Sequence, residues 1–400
     1  MSINKVRRSL VKSATAAAAT SPFITKNVWS QSKEIVVAGA QPMTGVFSFA
    51  GIHMNNGIND FCAWKNANGG VAGHKLRYVS EDTGFKLDQG VAIFKKLMAS
   101  EKPSFFLGDS TQWCKAVARD AIASDHVMTT STSCAAVMAD TVNMPHNFAA
   151  APTYGSMHEI LMEYIARSGK GSAEKPKVAL VYADTEFGRD GIAASKARAE
   201  KLGLPIVAEI VTKQSGVDVA PEVAKLRRAK PDVAIFQGYV VAPIPEFVKQ
   251  MREAGMTTQA MGTIWSMDKM TYDALGAMGE SWMGVMPYRY PHDEDSKTIK
   301  AMRDYNLANR PQVKDLSIFY MNTWLCGMIF SDLAEKCIKA NKKLTLPNMK
   351  AALESMKEWD SGGVTGLLAD LSRHQIPSGR LYQYDKTTKR MEPASGWIKV

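Results

Sequence analysis

Apolar and polar positions succeed one another along this chain in a way that predicts strands and helices in regular alternation. Short apolar runs, such as E-I-V-V-A-G-A (34–40) and S-F-F-L-G (104–108), are typical of buried strands. Segments with helical spacing lie between them, for example 87–98, and the same alternation restarts after Ala151. Parallel sheets covered by helices on both faces produce this pattern. Two consecutive series therefore predict an α/β protein with two lobes.

The positions of the predicted elements follow from the same pattern. It predicts strands at 34–40, 75–82, 104–108, 126–130, 177–183, 205–212, 232–237, 259–263 and 282–288. It predicts helices at 51–66, 87–98, 112–124, 154–168, 188–202, 219–229, 243–254 and 268–277. After about residue 296 the chain is rich in helix, with a long apolar helix near 317–340 and short strands near 380–385 and 396–400. This ending indicates that the chain returns to an earlier lobe.

The first 32 residues differ from the rest because they hold five basic residues and no acidic one. The words V-R-R-S-L-V-K resemble a twin-arginine export signal, and Ser30-Gln31-Ser32 offers the small residues that a signal peptidase uses. We expect a cleaved export signal over 1–32 and a periplasmic protein; a disordered basic tail is the alternative. Without this segment 44 basic residues face 39 acidic ones, and so mild an excess does not imply nucleic acid.

Composition excludes several classes of protein. The chain has 400 residues, 46% of them hydrophobic, which suits globular domains with more than one core. Its five cysteines are too few for a disulfide scaffold, and buried thiols at Cys114 and Cys134 are favoured over a pair. The chain has neither a C-x-x-C pair nor an H-x-x-x-H pair, so we expect neither a metal nor a cofactor.

Motifs of two common enzyme classes are also missing. The first strand is followed by A-G-A-Q-P-M-T-G instead of the G-x-G-x-x-G of dinucleotide-binding enzymes. The words G-D-S-T-Q depart from the G-x-S-x-G of serine hydrolases at their last position. We therefore expect a protein that is not an enzyme.

Hydroxyl side chains are concentrated where two neighbouring strands are predicted to end. Thr129–Ser133 holds five of them in a row, at the predicted junction between a strand and a helix. The words G-D-S-T-Q-W-C (108–114) stand at the same place one strand earlier. Ligands of open parallel sheets bind beyond the carboxyl ends of the strands, where free N–H groups at helix starts favour an anion. The two strand ends could hold one carboxylate between them; alternatively, Ser133 caps a helix and the other hydroxyls bond to local backbone.

A family resemblance rests on motifs spread over nearly all of the chain. The first half carries A-G-A-Q-P-M-T-G (38–45), N-A-N-G-G-V-A-G-H-K-L (66–76), S-E-D (80–82), F-L-G-D-S-T-Q (106–112) and V-M-T-T-S-T-S (127–133). The second carries Y-A-D-T-E-F-G-R-D-G (182–191), V-A-I-F-Q-G-Y (233–239) and M-R-E-A-G-M (251–256). The chain resembles the type I periplasmic substrate-binding proteins of ABC transporters, in the branch that binds leucine, isoleucine and valine.

The resemblance implies two Rossmann-like α/β lobes with parallel sheets, joined by three chain crossings. It implies that lobe 1 spans 33–151 and 288–372, and that lobe 2 spans 152–287 and 373–400. The ligand would lie in the cleft between them.

The resemblance also implies the residues that bind the ligand. Ser110, Thr111, Thr132 and Ser133 match the positions at which the first lobe grips a carboxylate. Phe187 and Tyr239 match aromatic positions of the second lobe that cover the ligand. From their place in the sequence, Trp113, Trp265, Phe47 and Phe49 could also face the cleft.

One departure from the family concerns the ligand. Amino-acid binders place an acid for the ammonium group after the strand at 259–263, where this chain has Thr263, Ile264 and Trp265. Glu186 or Asp184 could replace that acid; otherwise an apolar or aromatic acid is as plausible a ligand as an amino acid. We expect leucine to bind poorly.

The resemblance predicts a solute-binding protein of an ABC importer that closes over its ligand by a hinge motion. Its partners would be a small-molecule ligand and an ABC permease in the inner membrane, with the protein itself a monomer. A ligand-sensing regulatory protein of the same fold is the alternative.

Overall fold

The computed structural model describes residues 34–169, 174–213 and 218–400, which form two α/β lobes in one unit. The predicted export signal over 1–32 lies outside the described residues. No helix of the described chain is long and apolar enough to cross a membrane. Nor do the described residues contain a group of three or more His, Cys, Asp or Glu side chains that could hold a metal ion.

The first lobe is built on a parallel sheet of four strands in the order β2-β1-β3-β4. The strands are β1 (Glu34–Gln41), β2 (Lys75–Asp82), β3 (Phe105–Gly108) and β4 (Met128–Ser131). Three helices connect them, namely α1 (Ser48–Ala67), α2 (Leu87–Ser100) and α3 (Thr111–Ser124). The central strands are apolar because helices cover both faces of the sheet.

The second lobe is built on a larger sheet whose order is β11-β10-β9-β8-β7-β5-β6. Its first part runs α4 (Tyr154–Ser168), β5 (Val178–Ala183), α5 (Glu186–Arg189), α6 (Ile192–Leu202), β6 (Ile206–Thr212), α7 (Ala220–Ala229), β7 (Val233–Gln237), α8 (Ile244–Glu253), β8 (Gln259–Gly262), α9 (Lys269–Leu275) and β9 (Trp282–Met286). Strands β5 to β9 are parallel. The positions of strands and helices confirm the predicted alternation to within a few residues.

The last part of the chain contacts both lobes. It comprises α10 (Lys297–Asn309), α11 (Ile318–Lys339), α12 (Leu346–Glu354), β10 (Ser378–Asp385), β11 (Arg390–Pro393) and β12 (Ile398–Lys399). Helix α11 packs along α1 of the first lobe, where Thr323 donates a 2.8 Å hydrogen bond to the Met54 carbonyl. Strand β10 adds to the second sheet, antiparallel to β9. The lobe boundaries given above stay a prediction.

A buried ion pair also ties the last part of the chain to α1. Asp60 is 2% exposed, and its carboxylate accepts from the Arg310 guanidinium and from the Tyr320 hydroxyl. Because a buried charge is costly unless it is paired, this contact requires α1, α10 and α11 to meet in one arrangement.

The helix predicted after β4 is wrong. Beyond Ser131 the chain forms only a 3-10 turn at Ala136–Ala139, and the next α-helix begins at Tyr154. The Asp140 carboxylate accepts from the N–H groups of Val142 and Asn143, and Pro145 follows. A side chain that bonds to its own backbone and a proline both stop a helix from propagating. Ser133 therefore does not stand at a helix start.

Candidate ligand-binding site

A cavity of about 130 Å³, here called the binding cavity, lies between the two lobes. Residues that follow the ends of strands β1 to β5, β7 and β8 supply most of its lining: Pro42, Phe85, Asp109, Ser110, Thr111, Gln112, Thr132, Thr185, Glu186, Phe187, Val240 and Trp265. The remaining lining residues are Phe47, Ala50, Met54, Tyr154 and Phe319. The cavity thus occupies the position at which open parallel sheets bind ligands.

Ser110 holds the turn between β3 and α3. Its hydroxyl oxygen accepts from the Trp113 N–H at 3.2 Å and caps the helix. Its hydrogen is donated to the Asp109 carboxylate, 2.8 Å away. Because its single hydrogen is already used, Ser110 has no hydroxyl hydrogen left for a solute. The N–H groups of Thr111 and Gln112 lie in the first turn of α3, where the helix supplies no acceptor.

Thr111 and Ser133 form a hydroxyl pair at the ends of β3 and β4. Their oxygen atoms are 2.7 Å apart, and the Ser133 oxygen also accepts from the Ala135 N–H at 3.2 Å. One of the two hydroxyls donates to the other, so the pair retains one hydrogen for an outside acceptor. Thr111 lines the cavity, whereas Ser133 stands behind it.

Thr132 differs from the other hydroxyls of its run. Its side-chain oxygen is buried and has no hydrogen-bond partner within the described part of the chain, yet the residue lines the cavity. A buried hydroxyl left without a partner costs about 1–3 kcal/mol. An acceptor atom of a bound solute would remove that cost.

The two acids of the lining are already engaged. Asp109 is 7% exposed; it accepts from the hydroxyls of Thr83 at 2.7 Å and Ser110, and burial raises the pKa of its carboxyl. Glu186 forms an ion pair with Lys115. Asp184 pairs with Arg189 at 2.6 Å and lies outside the lining. Among the described residues, neither lysine nor arginine lines the cavity.

Aromatic rings form a large part of the cavity lining. Trp265 stacks on Phe319 with ring centroids 5.1 Å apart and an interplanar angle of 7°. Its indole N–H donates to the Tyr154 hydroxyl at 2.8 Å, which fixes the orientation of the ring. Phe187 lies 4.9 Å from the Tyr154 ring, and its carbonyl accepts from the Gln237 amide at 2.9 Å.

The structure places four of the predicted residues outside the cavity lining, namely Ser133, described above, and Trp113, Tyr239 and Phe49. Trp113 is fully buried in the first lobe, where its indole N–H donates to the Gly90 carbonyl at 3.2 Å. Tyr239 is 2% exposed and its hydroxyl bonds to that of Thr212 at 2.6 Å. Phe49 packs 5.5 Å from the Phe47 ring and is not part of the lining.

Five of the nine predicted residues do line the cavity: Ser110, Thr111, Thr132, Phe187 and Trp265. That any of the nine contacts a ligand stays a prediction. Sequence reasoning missed Phe85 and Asp109, although both follow strand ends and the rule used for Thr111 would have found them. It also missed Tyr154 and Phe319, which lie on helices at positions that carry no signal beyond an aromatic residue in an apolar stretch.

The family comparison agrees with this architecture. The model of the periplasmic binding protein family matches residues 34–389, and the chain belongs to this family. Its members are substrate-binding components of ABC transporters that act outside the cytoplasm and are not enzymes. Comparison with curated proteins finds no match.

Several solved structures share the fold. One is a branched chain amino acid ABC transporter from Thermus thermophilus with bound valine, at 20% identity and a TM-score of 0.81, covering 92% of this chain and 97% of that one. Another is a fatty acid ABC transporter substrate-binding protein from Thermomonospora curvata, at 19% identity and 0.77, covering 92% and 93%. A third is a solute binding protein from Rhodopseudomonas palustris BisB5 in complex with 3,4-dihydroxy benzoic acid, at 20% identity and 0.75, covering 92% and 97%. Identities this low show the fold alone.

Proposed function

We propose that this protein is the solute-binding component of an ABC importer and captures a small carboxylate-bearing solute in the binding cavity. It would be exported to the periplasm with removal of residues 1–32 and act as a monomer that delivers the solute to a permease in the inner membrane. Family membership supports the transport role. The proposed class of solute follows from the hydrogen-bond donors and the aromatic side chains that line the cavity.

The unpaired hydroxyl of Thr132 carries the proposal. Thr132 lines a cavity whose other available donors are the hydrogen kept by the Thr111–Ser133 pair and the N–H groups at the start of α3. These donors follow the ends of the neighbouring strands β3 and β4, and a carboxylate can accept from several of them because its two oxygens offer about four lone pairs. The start of α3 also favours a negative charge.

The body of the solute is expected to be aromatic or apolar and to lack an ammonium group. Six of the described lining residues are aromatic: Phe47, Phe85, Tyr154, Phe187, Trp265 and Phe319. An ammonium group would need a free carboxylate, but Asp109 is bonded to two hydroxyls and Glu186 to Lys115. An unpaired buried ammonium is costly. The aromatic carboxylate in the Rhodopseudomonas palustris complex fits the same chemistry.

Matched pairs of solutes test this proposal. Calorimetry on the mature chain would compare 3-phenylpropionate with phenylalanine, and 4-methylpentanoate with leucine, since each pair differs mainly by the amino group. We expect the acid without an amino group to bind roughly tenfold or more tightly than its partner. Leucine binding at micromolar concentration, or tighter binding of both amino acids, would show that an acid of the cavity serves an ammonium group.

Closure of the second lobe would complete the site. Trp265 and Phe187 would cover a solute held at the start of α3, and the water expelled by closure would strengthen each hydrogen bond to the carboxylate. The closed arrangement of the lobes is what we expect the permease to bind.

A further inference from the structure

A second cavity, of about 300 Å³, lies beside the segment 290–292 that leads from β9 toward α10. Its walls come from α9 and the turn before β11 in the second lobe, and from α10 and the start of α11, which pack against α1 of the first lobe. Its size falls at the lower end of the range of about 300–1,000 Å³ for small-molecule sites. Elements of both lobes therefore contribute to one partly open space apart from the binding cavity.

Basic side chains dominate this second cavity. Five of them line it, namely Lys269, Arg303, Lys314, Lys389 and Arg390, against the two acids Asp268 and Asp315. This is the reverse of the binding cavity, whose described lining holds two acids and no basic residue. Like charges brought together around a small space repel one another unless an anion is present.

Most of these cations lack a carboxylate partner. Lys269 pairs with Asp273 at 2.6 Å, and Arg303 donates to the Pro291 carbonyl at 3.0 Å. Within residues 34–169, 174–213 and 218–400, Lys314, Lys389 and Arg390 form no ion pair. The charges of the turn before β11 and of the loop before α11 therefore remain available to a ligand.

The two acids do not neutralise the second cavity. Asp268 is 3% exposed, and its carboxylate accepts from the Ser317 hydroxyl at 2.9 Å and from the Ile318 N–H at 3.0 Å. It is thus occupied in holding the start of α11. Of the two acids, Asp315 is the exposed one, as are Lys314, Lys389 and Arg390 among the basic residues.

We propose that the second cavity binds a small multivalent anion of the phosphate or pyrophosphate class. Guanidinium and ammonium groups are the side chains that bind phosphate oxygens most strongly, and arginine does so through two parallel hydrogen bonds. Because the walls belong to both lobes, the bound anion stabilises the lobe arrangement seen here. The proposal is independent of the solute in the binding cavity.

Binding of inorganic phosphate and pyrophosphate tests the proposal. Calorimetry and thermal unfolding of the full chain would be measured at constant ionic strength, with chloride as the reference, because screening alone changes the stability of a basic protein. The test variant is Lys314→Ala/Arg390→Ala, and the matched control is Lys225→Ala/Arg227→Ala, two exposed cations of α7 outside the cavity.

We expect pyrophosphate to bind wild type and control alike, and to bind the test variant roughly tenfold or more weakly. Equal affinity in the two variants, or stabilisation that tracks ionic strength only, would overturn the proposal. The test variant should bind 3-phenylpropionate as wild type does. A failure at the second cavity is thereby distinguished from a failure of the proposed function.

Discussion

Neighbouring hydroxyls of the run Thr129–Ser133 differ in whether their hydrogen is already used. The Thr130 hydroxyl donates to the Phe148 carbonyl at 2.6 Å inside the first lobe. Ser133 shares a hydrogen with Thr111, whereas the buried oxygen of Thr132 has no partner in the described chain. A hydroxyl that bonds within the protein and a hydroxyl that remains for a ligand can thus be told apart by counting their hydrogen bonds.

Thr132→Val is expected to change stability and affinity in opposite directions. Loss of an unpaired buried hydroxyl should leave the solute-free protein as stable as wild type or more so. Affinity for the solute should fall by about 1–3 kcal/mol, or roughly 5- to 150-fold. Thermal unfolding and calorimetry with the best solute of the screen measure the two effects.

Thr130→Val is the matched control. It removes a hydroxyl whose hydrogen bond is made within the protein, so it should lower stability by about 1 kcal/mol and leave affinity unchanged. If Thr132→Val binds the solute as tightly as wild type, Thr132 does not contact it.

The sequence identified the hydroxyl-rich strand ends but could not assign each side chain. The predicted Tyr239 points to Thr212, and the next residue, Val240, lines the cavity instead. Gly238 has a φ of 90°, a left-handed conformation that redirects the chain after β7. A one-residue change in direction of this kind has no signature in hydrophobic periodicity.

At the scale of elements, periodicity predicted most strands and helices because buried parallel strands and amphipathic helices have clear patterns. It failed after β4, where Asp140 and Pro145 stop a helix that the apolar spacing favours. It also could not predict which distant helices pack together. The contact of α1 with α11 joins residues that are more than 250 positions apart in the sequence. The two helices can approach each other so closely because residue 57 is a glycine.

Gly57→Ala should destabilise the protein. A Cβ at this position would lie 2.3 Å from both the Tyr320 carbonyl oxygen and the Thr323 hydroxyl oxygen, so α1 and α11 would have to move apart. Overpacking of this kind costs about 1–3 kcal/mol, which outweighs the gain of roughly 1 kcal/mol from replacing a helical glycine by alanine. Chemical denaturation measures the difference.

Asn59→Ala on the exposed face of α1 isolates the propensity effect. It should be neutral or slightly stabilising, because alanine favours helix and the Asn59 side chain is exposed. If Gly57→Ala is no less stable than this control, the two helices can separate without cost.

At the scale of the whole molecule, polar contacts between the two lobes hold them together beside the binding cavity. The Asp190 carboxylate of the second lobe accepts from the Ala136 N–H of the first at 2.9 Å. Lys115 and Glu186 pair nearby. Burial raises the pKa of Asp190 to about 6, although the Ala136 N–H and Lys115 oppose this shift.

The raised pKa determines the direction in which the stability of the protein changes with pH. An acid with a higher pKa in the folded than in the unfolded protein makes folding less favourable as pH rises between the two values, here from about 4 to about 6. Asp190→Asn keeps an oxygen for the Ala136 N–H and removes the charge. It should therefore be more stable than wild type above pH 6, by about 1–3 kcal/mol, and similar to it near pH 4.

Thermal unfolding of both proteins between pH 4 and 8 measures this difference. Asp184→Asn is the control, because its carboxylate is 61% exposed in an ion pair with Arg189 and such pairs contribute little. If the difference in unfolding temperature between Asp190→Asn and wild type is the same at every pH from 4 to 8, the pKa of Asp190 is not raised by folding.

All five cysteines of the chain are buried as free thiols. Reagents that alkylate accessible sulfur should therefore leave the native protein unlabelled. Val46 is 79% exposed and precedes Phe47 of the cavity lining, so Val46→Cys would supply a single reactive position next to a lining residue. A dye attached there would convert the protein into an optical reporter of its own solute without removal of any native cysteine.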